Sequence, residues 1–247
     1  MELVGAPVHE LKHVLTASFE EWVNSGCRVP NAGAGVFGAG ANVPGAGTLS
    51  CAISGGATAL IFLGALKNAS VDWDRITLFW TDERAVAPED PESNYGLAER
   101  MLLKPLGSKA PRALRMPTDT MPLGQAALWY DDLLANELHN GSLDLAILGV
   151  GEDGHICSLF PGHRALLVDD LRAVAVEDAP KPPPRRLSLT LRFVLQTKKI
   201  WLVAIGPRKL PVLQAAINKT SNATPLDLLM RQAKDVTVFT DQQLRRP

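Results

Sequence analysis

Residues 143–163, LDLAILGVGEDGHICSLFPGH, constrain this chain more than any other stretch. The first eight form an apolar run whose only charge is Asp144, the pattern of a strand buried on both faces of a parallel sheet. Gly149, Gly151 and Gly154 follow at once, so the backbone turns where a side chain would obstruct it. Asp153 and His155 sit among these glycines. The spacing predicts an ionisable pair at the carboxyl end of a central strand, where open α/β sheets bind their ligands.

Strand and helix patterns alternate around this element. Apolar runs at 48–53, 75–80, 171–176, 199–205 and 235–240 read as further strands. Helical spacing appears at 8–24, after 54–58, around Leu97 and Met101, at 123–139 and from Pro207 to Asn218. The result is an α/β chain: a doubly wound, mostly parallel, Rossmann-like sheet with flanking crossover helices, in one domain over residues 1–247. Residues 31–47, NAGAGVFGAGANVPGAG, have too few large apolar side chains to repay ordering and are expected to form a flexible loop.

Several loops at the strand ends carry small or charged residues. Ser54, Gly55, Gly56, Ala57 and Thr58 open a helix directly after a strand, an arrangement in which backbone N–H groups and the helix dipole bind phosphate. The plain alternative is a tight turn without a ligand. Asp82, Glu83 and Arg84 follow the 75–80 strand and fall on the same sheet edge if the strands are parallel; surface ion pairing would explain them equally well. Ser93 or Asn94 caps the next helix. Pro182, Pro183 and Pro184 stiffen the support of Arg185 and Arg186. Pro207 suits a first helical position, and Lys209 then opposes the helix dipole unless an anion offsets it.

Composition removes other classes. The formal net charge is -1 and no basic block stands out, so neither a nucleic acid nor a membrane is an expected partner. No apolar run reaches membrane-spanning length. An anionic small substrate would be held by a few local cations. The cysteines Cys27, Cys51 and Cys157 are an odd, scattered set, which fits a reducing compartment and a cytoplasmic location. His9 and His13 share a helix face, but no third metal ligand accompanies them.

Three chemistries fit the central stretch. Gly149, Gly151 and Gly154 spell G-x-G-x-x-G, with Glu177 further on, the outline of a dinucleotide site. Pro161 and Gly162 would interrupt the required helix within about two turns. A nucleophilic hydrolase would use Ser158 or Cys157 beside His155, yet no G-x-S-x-G elbow is present. In the third, His155 takes a proton from water while Asp153 orients the ring.

Taken together, Ser54-Gly55-Gly56, Asp82-Glu83-Arg84 with Ser93-Asn94-Tyr95-Gly96, LGVGEDGHICSLFPG, PPPRRLSLTL and Gly206 with Lys209 resemble the glucosamine-6-phosphate isomerase/6-phosphogluconolactonase family. The match runs in order from about Ser54 to Asp241. On its lactonase side the resemblance implies hydrolysis of 6-phospho-D-glucono-1,5-lactone to 6-phospho-D-gluconate in the oxidative pentose phosphate pathway, without metal or organic cofactor. It also implies a functional link to glucose-6-phosphate dehydrogenase. Carried over by position, His155 is the base that activates water, Asp153 supports it, and Asp82 lies near the sugar. Ser54, Gly55, Gly56, Thr58, Arg84, Arg186 and Lys209 line the substrate pocket, with the cations and the glycine turn taking the phosphate.

The deaminase branch of the family continues from its histidine to Phe-Asn-Glu-Pro, where this chain has Ser158-Leu159-Phe160-Pro161. It commonly has Tyr where this chain has Arg84. A non-catalytic sugar-phosphate sensor on the same fold is the other alternative, although it would have no use for a base. The chain departs from the family in having Ala57 and Ala59 in the glycine turn, with Thr58 as the turn's only hydroxyl after Ser54. Cys157 replaces a usual alanine, and the Gly/Ala-rich stretch before Thr48 is longer than the family pattern.

Overall fold

The computed structural model describes residues 1–26, 48–138, 140–221 and 223–244. The Gly/Ala-rich segment at 31–47, Cys27 and His139 lie outside the described residues.

Seven strands form a wholly parallel sheet: β1 (Glu2–Gly5), β2 (Leu49–Ile53), β3 (Ile76–Trp80), β5 (Arg112–Leu114), β6 (Leu145–Gly149), β9 (Lys199–Ala204) and β10 (Val236–Thr240). Their order is β1-β10-β9-β6-β2-β3-β5. β2, β3 and β10 are buried at every position, which explains why they read as unbroken apolar runs. From β2 the chain winds outward through β3 to β5, and from β6 it winds the other way through β9 and β10. The direction reverses between neighbouring β2 and β6, where such sheets open a crevice beyond their carboxyl ends.

Helix α1 (Val8–Gly26) turns Leu11, Leu15, Phe19 and Val23 inward, as the spacing predicted. Phe19 meets Trp73 and Trp201 with ring centroids 5.5 and 6.5 Å apart. Burying each such side chain contributes roughly 1.5–3 kcal/mol. Helix α2 (Ala59–Leu66) packs against α1. Ser93 caps α3 (Asn94–Ala98) by accepting from the Gly96 N–H at 3.0 Å. The helix continues through a π turn, Glu99–Leu103, into α4 (Lys104–Leu106). Helix α5 (Leu123–Glu137) seats the Tyr130 hydroxyl on the edge of the sheet, 3.0 Å from the Trp80 nitrogen.

The expected strand at 171–176 needs correction. It forms β7 (Ala173–Val176), but it leaves the parallel sheet and pairs antiparallel with β8 (Arg186–Leu189). β8 pairs in turn with β4 (Asp82–Arg84), making a separate three-stranded sheet. No crossover helix separates β7 from β8, so the parallel connection the alternation implied has nothing to carry it. Helix α6 (Leu191–Leu195) then leads into β9. Helices α7 (Leu210–Ile217) and α8 (Pro225–Gln232) pack on each other before β10. Among the described residues no helix is long and apolar enough to cross a membrane.

Candidate active site

A cleft of about 430 Å³ opens beyond the carboxyl ends of β2, β3, β6 and β9, at the reversal point of the sheet. Ser54, Gly55, Gly56, Thr58, Asp82, Arg84, His155, Arg186 and Lys209 all line it. Of the ten residues singled out from the sequence, only Asp153 stands behind the wall, where it contacts His155.

The turn after β2 is locked to its neighbours. Ser54 Oγ accepts from the Gly149 N–H at 2.8 Å, tying β2 to β6 across the reversal. A Cβ at Gly55 would fall 1.8 Å from Asn94 Oδ1, so only glycine fits there. Asn94 Nδ2 donates to the Asp82 carbonyl at 2.8 Å, fixing the turn to β4. Within the described residues the N–H groups of Gly55, Gly56, Ala57 and Thr58 make no hydrogen bond, and the Thr58 hydroxyl caps nothing. Free donors at the start of α2, on residues that line the cleft, are of the kind that can hold an anion. Ala59, by contrast, is fully buried in the core.

Glu83 does not pair with solvent-exposed cations. It is buried, and its carboxylate accepts from the N–H groups of Arg84, Asn94 and Tyr95 at 2.7, 2.8 and 2.7 Å. Burial pushes its carboxyl up in pKa, and the three backbone donors pull back. Glu83 therefore pins the helix start to β4, which explains why Asp-Glu-Arg and Ser-Asn-Tyr occur together. The surface pairing expected for this trio is confined to Arg84, which meets Glu92 at 3.1 Å. Arg84 Nε is buried without a partner among the described residues.

After β6 the chain makes turns, with no helix anywhere between Gly151 and His163. The helix a dinucleotide pyrophosphate requires is absent, not merely interrupted. Glu177 instead holds Arg185 at 2.8 Å, away from the cleft. The Gly151 N–H donates to the His155 carbonyl at 2.8 Å, so the loop folds His155 back over Gly151.

His155 Nδ1 lies 2.5 Å from Asp153 Oδ1. A carboxylate there holds the proton on Nδ1 and leaves Nε2, which has no partner among the described residues, with its lone pair free. Burial lowers the His155 pKa below the ordinary imidazole value, and Asp153 only partly offsets this. Burial raises Asp153, but hydrogen bonds from Lys181 and His155 outweigh it and hold the carboxyl at about 2. The result is a neutral imidazole beside an ionised carboxylate. The imidazole rests on Phe160, centroids 4.6 Å apart.

The neighbouring nucleophile candidates are disarmed. Ser158 is fully buried and its hydroxyl donates to Asp82 at 2.7 Å. Cys157 reaches the cleft from a left-handed backbone, φ 52°, but burial pushes its thiol well up, so it stays protonated.

Arg186 and Lys209 differ in how free they are. Arg186 is buried, and its guanidinium donates to the carbonyls of Pro183, Lys181 and Pro182 at 2.8, 2.9 and 3.1 Å. The Lys209 ammonium, in the turn after β9, makes no hydrogen bond or ion pair among the described residues, and burial lowers its pKa. Lys181, which the sequence did not single out, approaches Asp153 Oδ2 to 2.9 Å. Its only sequence signal was its place in the proline run. Among the described residues no three His, Cys, Asp or Glu side chains converge as a metal set would.

The family model described as glucosamine-6-phosphate isomerases/6-phosphogluconolactonase matches residues 39–239. The chain belongs to this family. Among curated members of the family, the 6-phosphogluconolactonase of Mycobacterium bovis is 37% identical over 175 residues, covering 67% of this chain and 71% of its own. That of Streptomyces coelicolor is 33% identical over 186 residues, covering 70% and 71%. Solved structures in the family share the fold. A 6-phosphogluconolactonase from Shewanella baltica superposes with a TM-score of 0.77 at 22% identity, over 97% of this chain and 96% of that one. A monomeric glucosamine-6-phosphate deaminase gives 0.76 at 16% identity, over 98% of each. The fold is therefore common to both chemistries of the family, and the site residues must separate them.

Proposed function

We propose that this chain is a 6-phosphogluconolactonase: it hydrolyses 6-phospho-D-glucono-1,5-lactone to 6-phospho-D-gluconate in the oxidative pentose phosphate pathway. The observation that carries the proposal is His155, neutral, held through Nδ1 by Asp153, with Nε2 free on a cleft that also holds a cradle of unpaired N–H groups and an unpaired lysine. Nε2 takes a proton from water as the oxygen attacks C1 of the lactone, and the imidazolium returns it to the departing ring oxygen. Asp153 steadies the imidazolium, as a carboxylate does behind a catalytic histidine. Asp82, buried at the cleft wall, faces the sugar hydroxyls. No step calls for a metal or an organic cofactor.

The phosphate is assigned to the N–H groups of Gly55 to Thr58, to Lys209 and to Arg84; Arg186, whose Nε and Nη2 hold backbone carbonyls, offers the cleft only Nη1, which lies 3.4 Å from Ser158 Oγ. The curated lactonase relatives, above 30% identity, support this substrate over glucosamine 6-phosphate. So does the lack of an acidic residue in Ser158-Leu159-Phe160-Pro161, where the deaminase motif carries one. The cytoplasm is the matching compartment, and glucose-6-phosphate dehydrogenase, which makes the lactone, is the functional neighbour.

The test is proton release from freshly generated lactone, with spontaneous opening subtracted. Acceleration by the wild-type chain is expected. A folded protein without it, but with ammonia release from glucosamine 6-phosphate, would be a deaminase.

Two further results are expected. Lys209→Met and Arg84→Ala each raise KM on the order of ten- to a hundredfold, the worth of one charge-assisted hydrogen bond, with kcat changed much less. An unchanged KM would take that cation off the phosphate. Because His155 must be neutral to act and its pKa is lowered, kcat/KM stays level as pH falls through 6.5 and declines only below it. A decline centred at pH 7 or above would point to a different base.

A further inference from the structure

Lys181 is carried on the segment between β7 and β8, 26 residues from His155. Pro180 and Pro182 to Pro184 stiffen that segment. The Ala179 N–H donates to the Pro184 carbonyl at 2.9 Å and closes it into a loop. Arg186 clamps the loop from within, holding three successive carbonyls at 2.8 to 3.1 Å. The loop thereby presents Lys181 Nζ to the second oxygen of Asp153. Nζ lies 2.9 Å from Asp153 Oδ2 and 3.5 Å from His155 Nδ1, while Asp153 Oδ1 takes His155. Lys181 does not line the cleft.

We infer that Lys181 is a positioning residue for the His155–Asp153 pair, held at its back by the proline loop and Arg186; this rests on His155 being the base of the lactonase reaction.

With one oxygen on the imidazole and the other on the ammonium, the Asp153 carboxylate cannot swing away from His155. The ammonium has a second effect. Asp153 works against burial by favouring the imidazolium; a positive charge beside Nδ1 acts in the same direction as burial and disfavours it. The charges facing His155 are Asp153 from its own loop, Lys181 from the proline loop and Asp82 from β4. Arg186 of β8 lies beyond Phe160, its guanidinium 5.5 Å from that ring, and Glu152 and Lys209 stand elsewhere on the cleft wall. Among these, Lys181 is the cation near Nδ1. Its side chain is 44% exposed, so the ion pair adds little to stability and the lysine can be replaced without unfolding the chain.

The experiment compares wild type, Lys181→Met and Lys181→Arg. Lys181→Met is expected to lower kcat on the order of tenfold, with KM within about twofold, and to move the acid limb of kcat/KM to higher pH. Lys181→Arg restores most of both. An unchanged kcat and acid limb in Lys181→Met would overturn the inference, as would a rise in KM at constant kcat, which would make Lys181 a substrate ligand. A second readout needs no turnover: the His155 imidazole is titrated by ¹⁵N NMR. Its pKa rises in Lys181→Met if the lysine acts as inferred, and an unmoved pKa overturns it. A wild-type protein that does not open the lactone, but whose His155 titration shifts in the variant, would sink the lactonase proposal and leave the coupling of Lys181 to His155 standing.

Discussion

Replacing His155 with alanine lowers kcat for lactone opening by roughly 10²–10⁴-fold, the range that a positioned general base contributes. The loss falls on kcat because the neighbouring nucleophiles and the cleft lysine are not placed to take over the proton. Cys157 is held protonated by burial, the Ser158 hydroxyl is turned into Asp82, and Lys209 is a cation placed for binding. Affinity for the product, 6-phospho-D-gluconate, stays within about threefold, since the phosphate contacts are on other elements and His155 acts in the transition state. Calorimetric titration with the product and proton release from the lactone measure the two halves separately. A His155→Ala variant keeping more than about a tenth of wild-type kcat would place the base elsewhere.

The second large effect comes from a residue with no side chain. An alanine Cβ at Gly151 would lie 2.0 Å from His155 Nδ1, 2.2 Å from His155 Cε1 and 2.6 Å from Asp153 Oδ1. The backbone at Gly151 is not in the left-handed region, so alanine suits the chain itself, and the collision falls on the side chains of His155 and Asp153. Either the ring or the carboxylate must move by an ångström or more. A misplacement of that size costs about 10²-fold in rate. Gly151→Ala should therefore lose kcat on that scale while its thermal unfolding midpoint moves only a few degrees. A folded Gly151→Ala enzyme with kcat within threefold of wild type would show that the close packing of the loop on His155 does not matter for the reaction.

These two variants also show where local sequence carries information. The strand of 143–150, the glycines after it and the Asp153-x-His155 pair are contiguous, so hydrophobic run length, turn chemistry and spacing place them without help from the rest of the chain. The same holds for the Ser54–Thr58 turn and for Gly206 with Lys209, each following a buried strand. Once the strands are parallel neighbours, their carboxyl ends come together, and eight of the ten residues singled out reach one cleft that way, Arg186 joining them from the antiparallel β8.

What the linear pattern could not show is which partner each polar group takes. Glu83 is as charged as Arg84 beside it, yet one is buried on three backbone N–H groups and the other faces the cleft. Arg186 reads as a ligand for an anion, but the proline loop folds three carbonyls onto it first. The run at 171–176 has the composition of a parallel strand and pairs antiparallel, because its neighbour arrives through a proline loop instead of a crossover helix. Lys181 had no motif of its own and meets Asp153 only because β7 and β8 bring the loop there.

By itself, then, the sequence determined the alternation of buried strands and helices, the turns at the strand ends and the nearness of Asp153 to His155. All of these depend on interactions within a few residues. The tertiary structure decided the separate antiparallel sheet, the burial of Glu83, the occupation of Arg186 and the approach of Lys181. Those depend on contacts between segments far apart in the chain, where hydrogen-bond donors and charges are assigned by which groups the fold brings within about 3 Å of each other.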